Sequence, residues 1–247
     1  MQVEIKPNEK VDDLQRNGYR IIQDKDRFCF GMDAVLLSGF VKARPGDRVL
    51  DLGTGTGILP ILLCGKTKAE HYTAIEIQPE SVEMARRSVL LNDLQDRIDI
   101  VQGDICSIAE TMRDKRASFD IVVSNPPYMA DNHGIQNEAD AKTIARHEIL
   151  CTLEDVVTAA SKMIKPSGHF YMVHRPFRLA DIITSLKAHH FEPKRMRMVH
   201  ASVAKEPSMV LIEAIHSAKP GMIVEKPWII YEEDGSYTRE LKEDYGF

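Results

Sequence analysis

From about residue 45 onward the chain alternates short apolar runs with longer amphipathic segments. That alternation leaves few folds open, because strands separated by helices lie parallel in one sheet and are covered on both faces. Strands are expected at Arg48–Asp51, Tyr72–Ile77, Ile98–Gln102, Phe119–Ser124 and His169–Val173, and helices at Ile58–Gly65, Pro79–Asn92, Leu153–Ile164 and Arg178–His189. Pro60 falls in the first turn of its helix, where a missing N–H costs nothing. Two further apolar strands, Arg195–Ala201 and Ser208–His216, are joined only by a short turn containing Pro207. They are expected to pair as an antiparallel hairpin, since a parallel pair needs a crossover of about a dozen residues. The expected fold class is α/β: a Rossmann-like, mostly parallel seven-stranded sheet with a C-terminal antiparallel hairpin and a small N-terminal lid.

With 247 residues, 43% of them hydrophobic, the chain has material for one large domain with additions. Residues 1–44 read as a lid or extension, 45–217 as the main domain, and 218–247 as a tail packed on it. In the lid, Gly18–Gln23 and Arg27–Phe30 look like two short strands before a helix capped by Asp33; the tail offers a short strand at Trp228–Tyr231 and then a polar end. No run of 18 apolar residues occurs and the N-terminal residues lack the order of a secretory signal, so a cytoplasmic protein without membrane contact is expected. The cysteines Cys29, Cys64, Cys106 and Cys151 are widely spaced, which predicts reduced, mostly buried thiols and no metal site. A net charge of −5 argues against a generic nucleic-acid coat, while Arg86-Arg87 and Lys194-Arg195-Met196-Arg197 remain candidates for phosphate contact. Nothing indicates assembly, and a monomer is favoured. The polar stretch 129–147 is either a substrate loop or a surface excursion.

The chemistry-bearing residues fall where the expected strands end. Asp51-Leu52-Gly53-Thr54-Gly55-Thr56-Gly57 follows a strand and opens a helix, so Gly53, Gly55 and Gly57 let backbone approach a ligand at the carboxyl edge of the sheet. The dinucleotide fingerprint G-x-G-x-x-G fails in both frames, with Ile58 or Pro60 in the third position. The turn suits a ligand without a pyrophosphate, its amino-acid part against the glycines. Asp51 orients that ligand's ammonium, or caps the turn's own N–H groups, or both. Glu76 ends the second strand, 21 residues past Gly55, where an acid accepts from ribose hydroxyls. Asp104 ends the third and either accepts from the exocyclic amine of an adenine, with the N–H of Ile105 beside it, or caps the helix that follows.

Asn125-Pro126-Pro127-Tyr128 ends the fourth strand. An amino nitrogen conjugated to a ring or carbonyl is a poor nucleophile, because its lone pair is delocalised. An Asn side-chain oxygen and a carbonyl held by an extended X-Pro-Pro segment can accept from both of its N–H bonds and localise that pair, while Tyr128 stacks on the ring. With the glycine turn upstream, the two motifs point to methyl transfer from S-adenosylmethionine.

Asp51–Gly57, Glu76, Asp104 and Asn125–Tyr128 together resemble the N6-adenine and N5-glutamine branch of class I S-adenosylmethionine-dependent methyltransferases. More narrowly, Gly18–Gln23, Phe28–Leu37, Ala145–Glu148 and Tyr237–Glu240 are similar to the bacterial tRNA(Val) adenine-37 N6-methyltransferase family, over about residues 14–241. The resemblance implies methylation of an adenine beside the anticodon. It implies that Asn125 and the Pro126 carbonyl hold the target amine, Tyr128 stacks the base, Phe30 and Gly31 close over the cofactor, and Arg146 and His147 lie near the RNA or order the loop. Lys194, Arg195 and Arg197 are further RNA candidates. The alternatives are N5-glutamine methylation of a protein such as a release factor, N6-adenine or N2-guanine methylation of another RNA, and an inactive RNA-binding protein. Release-factor enzymes carry a long helical domain before the glycine turn, whereas about 44 residues precede it here.

Overall fold

The computed structural model describes residues 3–26, 31–126 and 151–246. A ribbon of β1 (Glu9–Asp13) and β2 (Arg20–Asp24) leads to α1 (Met32–Phe40), then β3 (Arg48–Leu52), α2 (Ile58–Lys66), β4 (His71–Glu76), α3 (Pro79–Leu91), β5 (Ile98–Gln102), α4 (Ile108–Thr111) and β6 (Phe119–Ser124). After residue 150 come α5 (Leu153–Met163), β7 (Ile164–His174), α6 (Leu179–Ala188), β8 (Phe191–His200), β9 (Pro207–His216), β10 (Ile223–Val224), β11 (Trp228–Ile229) and α7 (Arg239–Tyr245).

The sheet runs β5-β4-β3-β6-β7-β9-β8, with β3 to β7 mutually parallel and β9 antiparallel to both β7 and β8. The expected parallel sheet and its hairpin are both present. Among the described residues the sheet has nine strands rather than seven, because β10 and β11 each pair in parallel with the outer side of β8. Side chains alternate between two cores. Val49, Ile121 and Tyr171 face the layer holding α1, α2 and α3; Leu50, Val122 and Phe170 face the layer holding α4, α5 and α6. Burial on both faces accounts for the near-continuous apolar runs that define these strands.

Local chemistry sets the helix starts. Gly57 takes φ +87° at the α2 boundary, and a Cβ there would lie 3.3 Å from the Ala85 Cβ, so this close approach to α3 favours glycine. At α5, Thr152 and Asp155 form a capping box. Asp33 is not the cap of α1: Gly31 occupies that position, and the Asp33 carboxylate in the first turn accepts from the Ala34 N–H at 2.9 Å.

Three other elements depart from expectation. β2 pairs with Glu9–Asp13, an acidic segment without apolar alternation and not among the expected strands; the second expected strand, Arg27–Phe30, lies outside the described residues. The ribbon is fixed to α3 by the buried Glu9, which pairs with Arg87, and by the Ile22 N–H donating to the Ser88 hydroxyl. β7 begins at Ile164 rather than His169, with a register shift against β6 that accommodates Pro166. The polar C-terminal tail contains α7, capped by the Thr238 hydroxyl; its Asp244 pairs at 2.8 Å with the buried Lys66 of α2 and sits where a Cβ on Gly39 would be. Among the described residues no helix is long and apolar enough to cross a membrane.

Candidate active site

Because β3 to β7 are parallel, the ends of β3, β4, β5 and β6 bring the glycine turn, Glu76, Asp104 and Asn125 to one edge of the sheet. The turn is held by the end of β4. Gly53 and Thr54 both donate N–H groups to the Ile75 carbonyl at 3.0 Å, and Gly57 donates to the Thr54 carbonyl at 3.0 Å. The Gly55 N–H donates to Glu76 Oε2 at 3.0 Å, while Glu76 Oε1 accepts from the Gln78 N–H at 2.9 Å. Gly53 and Gly55 have φ of +79° and +57°, a region that L side chains enter only with strain.

Those bonds decide between the two roles open to Asp51. The N–H groups of Gly53, Thr54, Gly55 and Gly57 already have acceptors, so Asp51 does not cap them. It is 1% exposed, and neither its carboxylate oxygens nor the buried Thr54 hydroxyl beside it makes a hydrogen bond of normal geometry, although the hydroxyl lies close enough to favour the charged carboxylate. Burial pushes the Asp51 carboxyl up to about 7, against the pull of the Thr54 hydroxyl and with the Glu76 charge adding to the rise. A buried acid with so little compensation is costly, and the spot suits a cationic ligand group. The open space at Gly55 and the spare lone pairs of Glu76 fit the amino-acid and ribose parts of S-adenosylmethionine.

Two residues past the end of β5, Asp104 accepts from the Cys106 N–H at 2.8 Å and so caps a short 3-10 turn at Ile105–Ser107. The Ile105 side chain packs toward the glycine turn, 3.7 Å from where a Gly53 Cβ would lie. Cys29 lies outside the described residues; among those described, Cys106 is exposed, Cys151 half-buried and only Cys64 buried, against the expectation of mostly buried thiols. Sequence spacing also hid a proximity: the ligand atoms of Cys106, Cys151 and Asp155 lie within 4.8 Å of one another, and burial pushes both thiols up, Cys151 to about 12.

Across the β3–β6 ladder, the fully buried Ser124 hydroxyl donates to the Leu52 carbonyl at 2.9 Å, tying the strand that precedes Asn125 and the buried Pro126 to the one that precedes the glycine turn. Phe30, Tyr128, Arg146, His147 and the 129–147 loop lie outside the described residues. Arg195 is bound to Glu213 at 2.6 Å and Glu225 at 2.7 Å and lies over the Phe40 ring; Arg197 is bound to Glu240 at 2.7 Å and lies over Trp228. Lys194 donates to the Lys219 carbonyl at 3.2 Å. All three sit on β8, three strands from β6, so the structure does not bring them to Asn125. Their acidic partners Glu213, Glu225 and Glu240 are distant in sequence, and no local pattern pairs them with the arginines.

A doubly wound sheet ending in an antiparallel hairpin, with a buried acid before its glycine turn and Asn-Pro at the neighbouring strand end, defines a class I methyltransferase. The family model described as methyltransferase small domain matches residues 26–192. A curated tRNA1(Val) (adenine(37)-N6)-methyltransferase of Porphyromonas gingivalis is 30% identical over 188 residues, 74% of this chain and 72% of that one. Its counterpart in Tolumonas auensis is 26% identical over 90% of both chains. Among solved structures, a predicted O-methyltransferase of Agrobacterium tumefaciens has a TM-score of 0.69 at 25% identity, covering 87% of this chain and 95% of that one. The chain belongs to the methyltransferase small domain family and, within it, to the tRNA1(Val) (adenine(37)-N6)-methyltransferase family. Its cofactor is S-adenosylmethionine.

Proposed function

We propose that this protein methylates N6 of an adenine in tRNA, at position 37 beside the anticodon of tRNA(Val), the reaction named for its curated relatives. The observation that carries the reading is the buried, poorly compensated Asp51 on β3, one strand away from β6 and the Asn125–Pro126 pair that follows it. Asp51 holds the cofactor's ammonium, Glu76 its ribose hydroxyls, and Asp104 with the Ile105 N–H its adenine, while Ile105 and the segment at Phe30–Gly31 cover it. When bound, S-adenosylmethionine supplies an electrophilic methyl group on its sulfonium.

The Asn125 side-chain oxygen and the Pro126 carbonyl accept from the two N–H bonds of the adenine amine, which is thereby held in line and stabilised as positive charge develops on it. Tyr128 stacks on the turned-out base; an adenine in a single-stranded anticodon loop is turned out at modest unstacking cost. The ammonium-like nitrogen formed by transfer loses its extra proton to water, so no strong base is required. A tRNA substrate places the enzyme in the cytoplasm.

The test is incubation with labelled S-adenosylmethionine and bulk tRNA from a strain lacking the enzyme, followed by nucleoside mass spectrometry. N6-methyladenosine in the tRNA is the expected product; cofactor binding without labelled tRNA refutes the substrate assignment and directs attention to release-factor glutamine or rRNA. Within the scheme, Asn125→Ala lowers kcat by roughly 100-fold or more, the usual cost of removing one preorganised polar group from a transition state. Near-normal turnover of a variant that binds cofactor normally refutes the role of Asn125.

A further inference from the structure

β7 ends beside the proposed amine-holding site and continues as Arg175-Pro176-Phe177-Arg178. Ser124 of β6 is level with Met172 of β7, so Asn125 leaves the sheet level with Val173 on a strand about 5 Å away. Arg175 to Arg178 therefore rise just past Asn125 on the same edge. The segment is stiff: Pro176 fixes φ at the start of a 3-10 turn, Pro176–Arg178, which the Arg178 N–H closes by donating to the Arg175 carbonyl at 3.1 Å. Beneath it, the buried His174 Nδ1 accepts from the Arg175 N–H at 2.8 Å, which makes the imidazole a neutral strut.

The turn presents an apolar ring in water between two cations. Phe177 is 60% exposed, the most exposed aromatic among the described residues. Arg178 is steadied by Asp181 at 2.7 Å, and Arg175 donates to the Ser208 carbonyl at 3.0 Å, which joins the turn to the start of β9. The hairpin preceding β9 carries the exposed Lys205, where His200 Nδ1 and the Lys205 carbonyl lie 2.7 Å apart. An aromatic face flanked by arginines is the pattern that binds single-stranded nucleic acid, with the ring taking a base and the cations the phosphates.

Resting on the tRNA reading above, we propose that Arg175–Arg178 is a subsite for a nucleotide flanking the target adenine: Phe177 stacks on its base and Arg175 contacts the adjoining phosphate, while Arg178, paired with Asp181, holds the turn in place. The flanking base is thereby held while the target base is turned toward Asn125. Phe177 and the two arginines are positioning residues for the RNA and do not touch the cofactor.

The experiment measures steady-state methylation of a synthetic tRNA(Val) anticodon stem-loop by the wild type and by Phe177→Ala, Phe177→Leu, Phe177→Trp and Arg175→Gln, with S-adenosylmethionine affinity by calorimetry for each. Phe177→Ala and Phe177→Leu should raise KM for the RNA by about 5- to 100-fold, and Phe177→Trp should restore it, since only an aromatic replaces a lost stack. Cofactor affinity should not change. Arg175→Gln should reduce the slope of log KM against log salt by about 0.7, whereas Phe177→Ala should leave the slope intact. If the wild type methylates the stem-loop and Phe177→Leu matches it within twofold, the subsite is wrong while the tRNA reading stands. If the wild type binds cofactor but methylates no tRNA, both fall together.

Discussion

Asp51→Asn offers a perturbation whose two effects run in opposite directions. With its carboxyl raised to about 7 in the folded protein against an ordinary value near 4, Asp51 holds a proton that the unfolded chain releases. Between those values the native state binds the extra proton, so stability falls as pH rises from about 4 to about 7 and is then level. Three units at 1.36 kcal/mol each put the total near 4 kcal/mol, an upper bound because water reaches real sites. Asparagine carries no charge to desolvate. The variant without cofactor should therefore match the wild type in Tm near pH 4.5 and exceed it by several degrees at pH 8, given about 2–4 °C per kcal/mol for a chain of this size. It should also bind S-adenosylmethionine at least about tenfold more weakly at pH 8, because the ammonium loses its counter-charge. Scanning calorimetry across pH with cofactor titrations reads both. A variant no more stable than the wild type at pH 8, or one that binds cofactor undiminished, refutes the assignment of Asp51 as an ionisable ammonium receptor.

Glu76→Ala removes the acceptor of two backbone N–H groups and the proposed ribose contact; cofactor affinity should drop at least about tenfold and stability by roughly 1–3 kcal/mol, checked by calorimetry and urea melts. Ser124→Ala should cost about 1 kcal/mol in the same melts and lower kcat more than it raises either KM, since the lost bond ties the acceptor strand to the cofactor strand. Arg195→Ala leaves the buried Glu213 without its guanidinium and should destabilise by a few kcal/mol while leaving the salt dependence of KM for RNA unchanged; a reduced slope would return Arg195 to the list of phosphate contacts. With both thiols pushed up, Cys106 should react slowly with a thiol reagent at pH 7 despite its exposure, and markedly faster at pH 9.

The parallel sheet was legible in sequence because burial on both faces writes strands as unbroken apolar runs, and the hairpin because its short connection forbids a crossover. The glycine turn and the acids at strand ends were legible because parallel strands end on one edge. β1 was not: Glu9-Lys10-Val11-Asp12-Asp13 has no apolar face, and it is a strand only because β2 and the Arg87–Glu9 pair hold it. α7 was hidden for a similar reason: it buries one leucine, Leu241, and is otherwise anchored by polar contacts such as Lys66–Asp244 and Arg197–Glu240 to residues distant in sequence. Charge patterning misled in the other direction. Lys194–Arg197 reads as a phosphate patch, yet the acids that engage its arginines come from β9 and from the chain beyond it. Arg175–Arg178 carries only two charges, and its exposed ring at the catalytic edge becomes evident once β7 is placed beside β6.

The Ser124–Leu52 bond has a consequence for how such an enzyme changes over time. In the scheme proposed above it joins the strand that leads to the amine-holding Asn125 and Pro126 to the strand that leads to the glycine turn, so the two halves of the site share one backbone ladder. The segments proposed to meet the RNA, by contrast, follow the strands and are not part of that ladder, so under this scheme substitutions in them change which substrate is held while the paired strands of the reaction centre stay as they are.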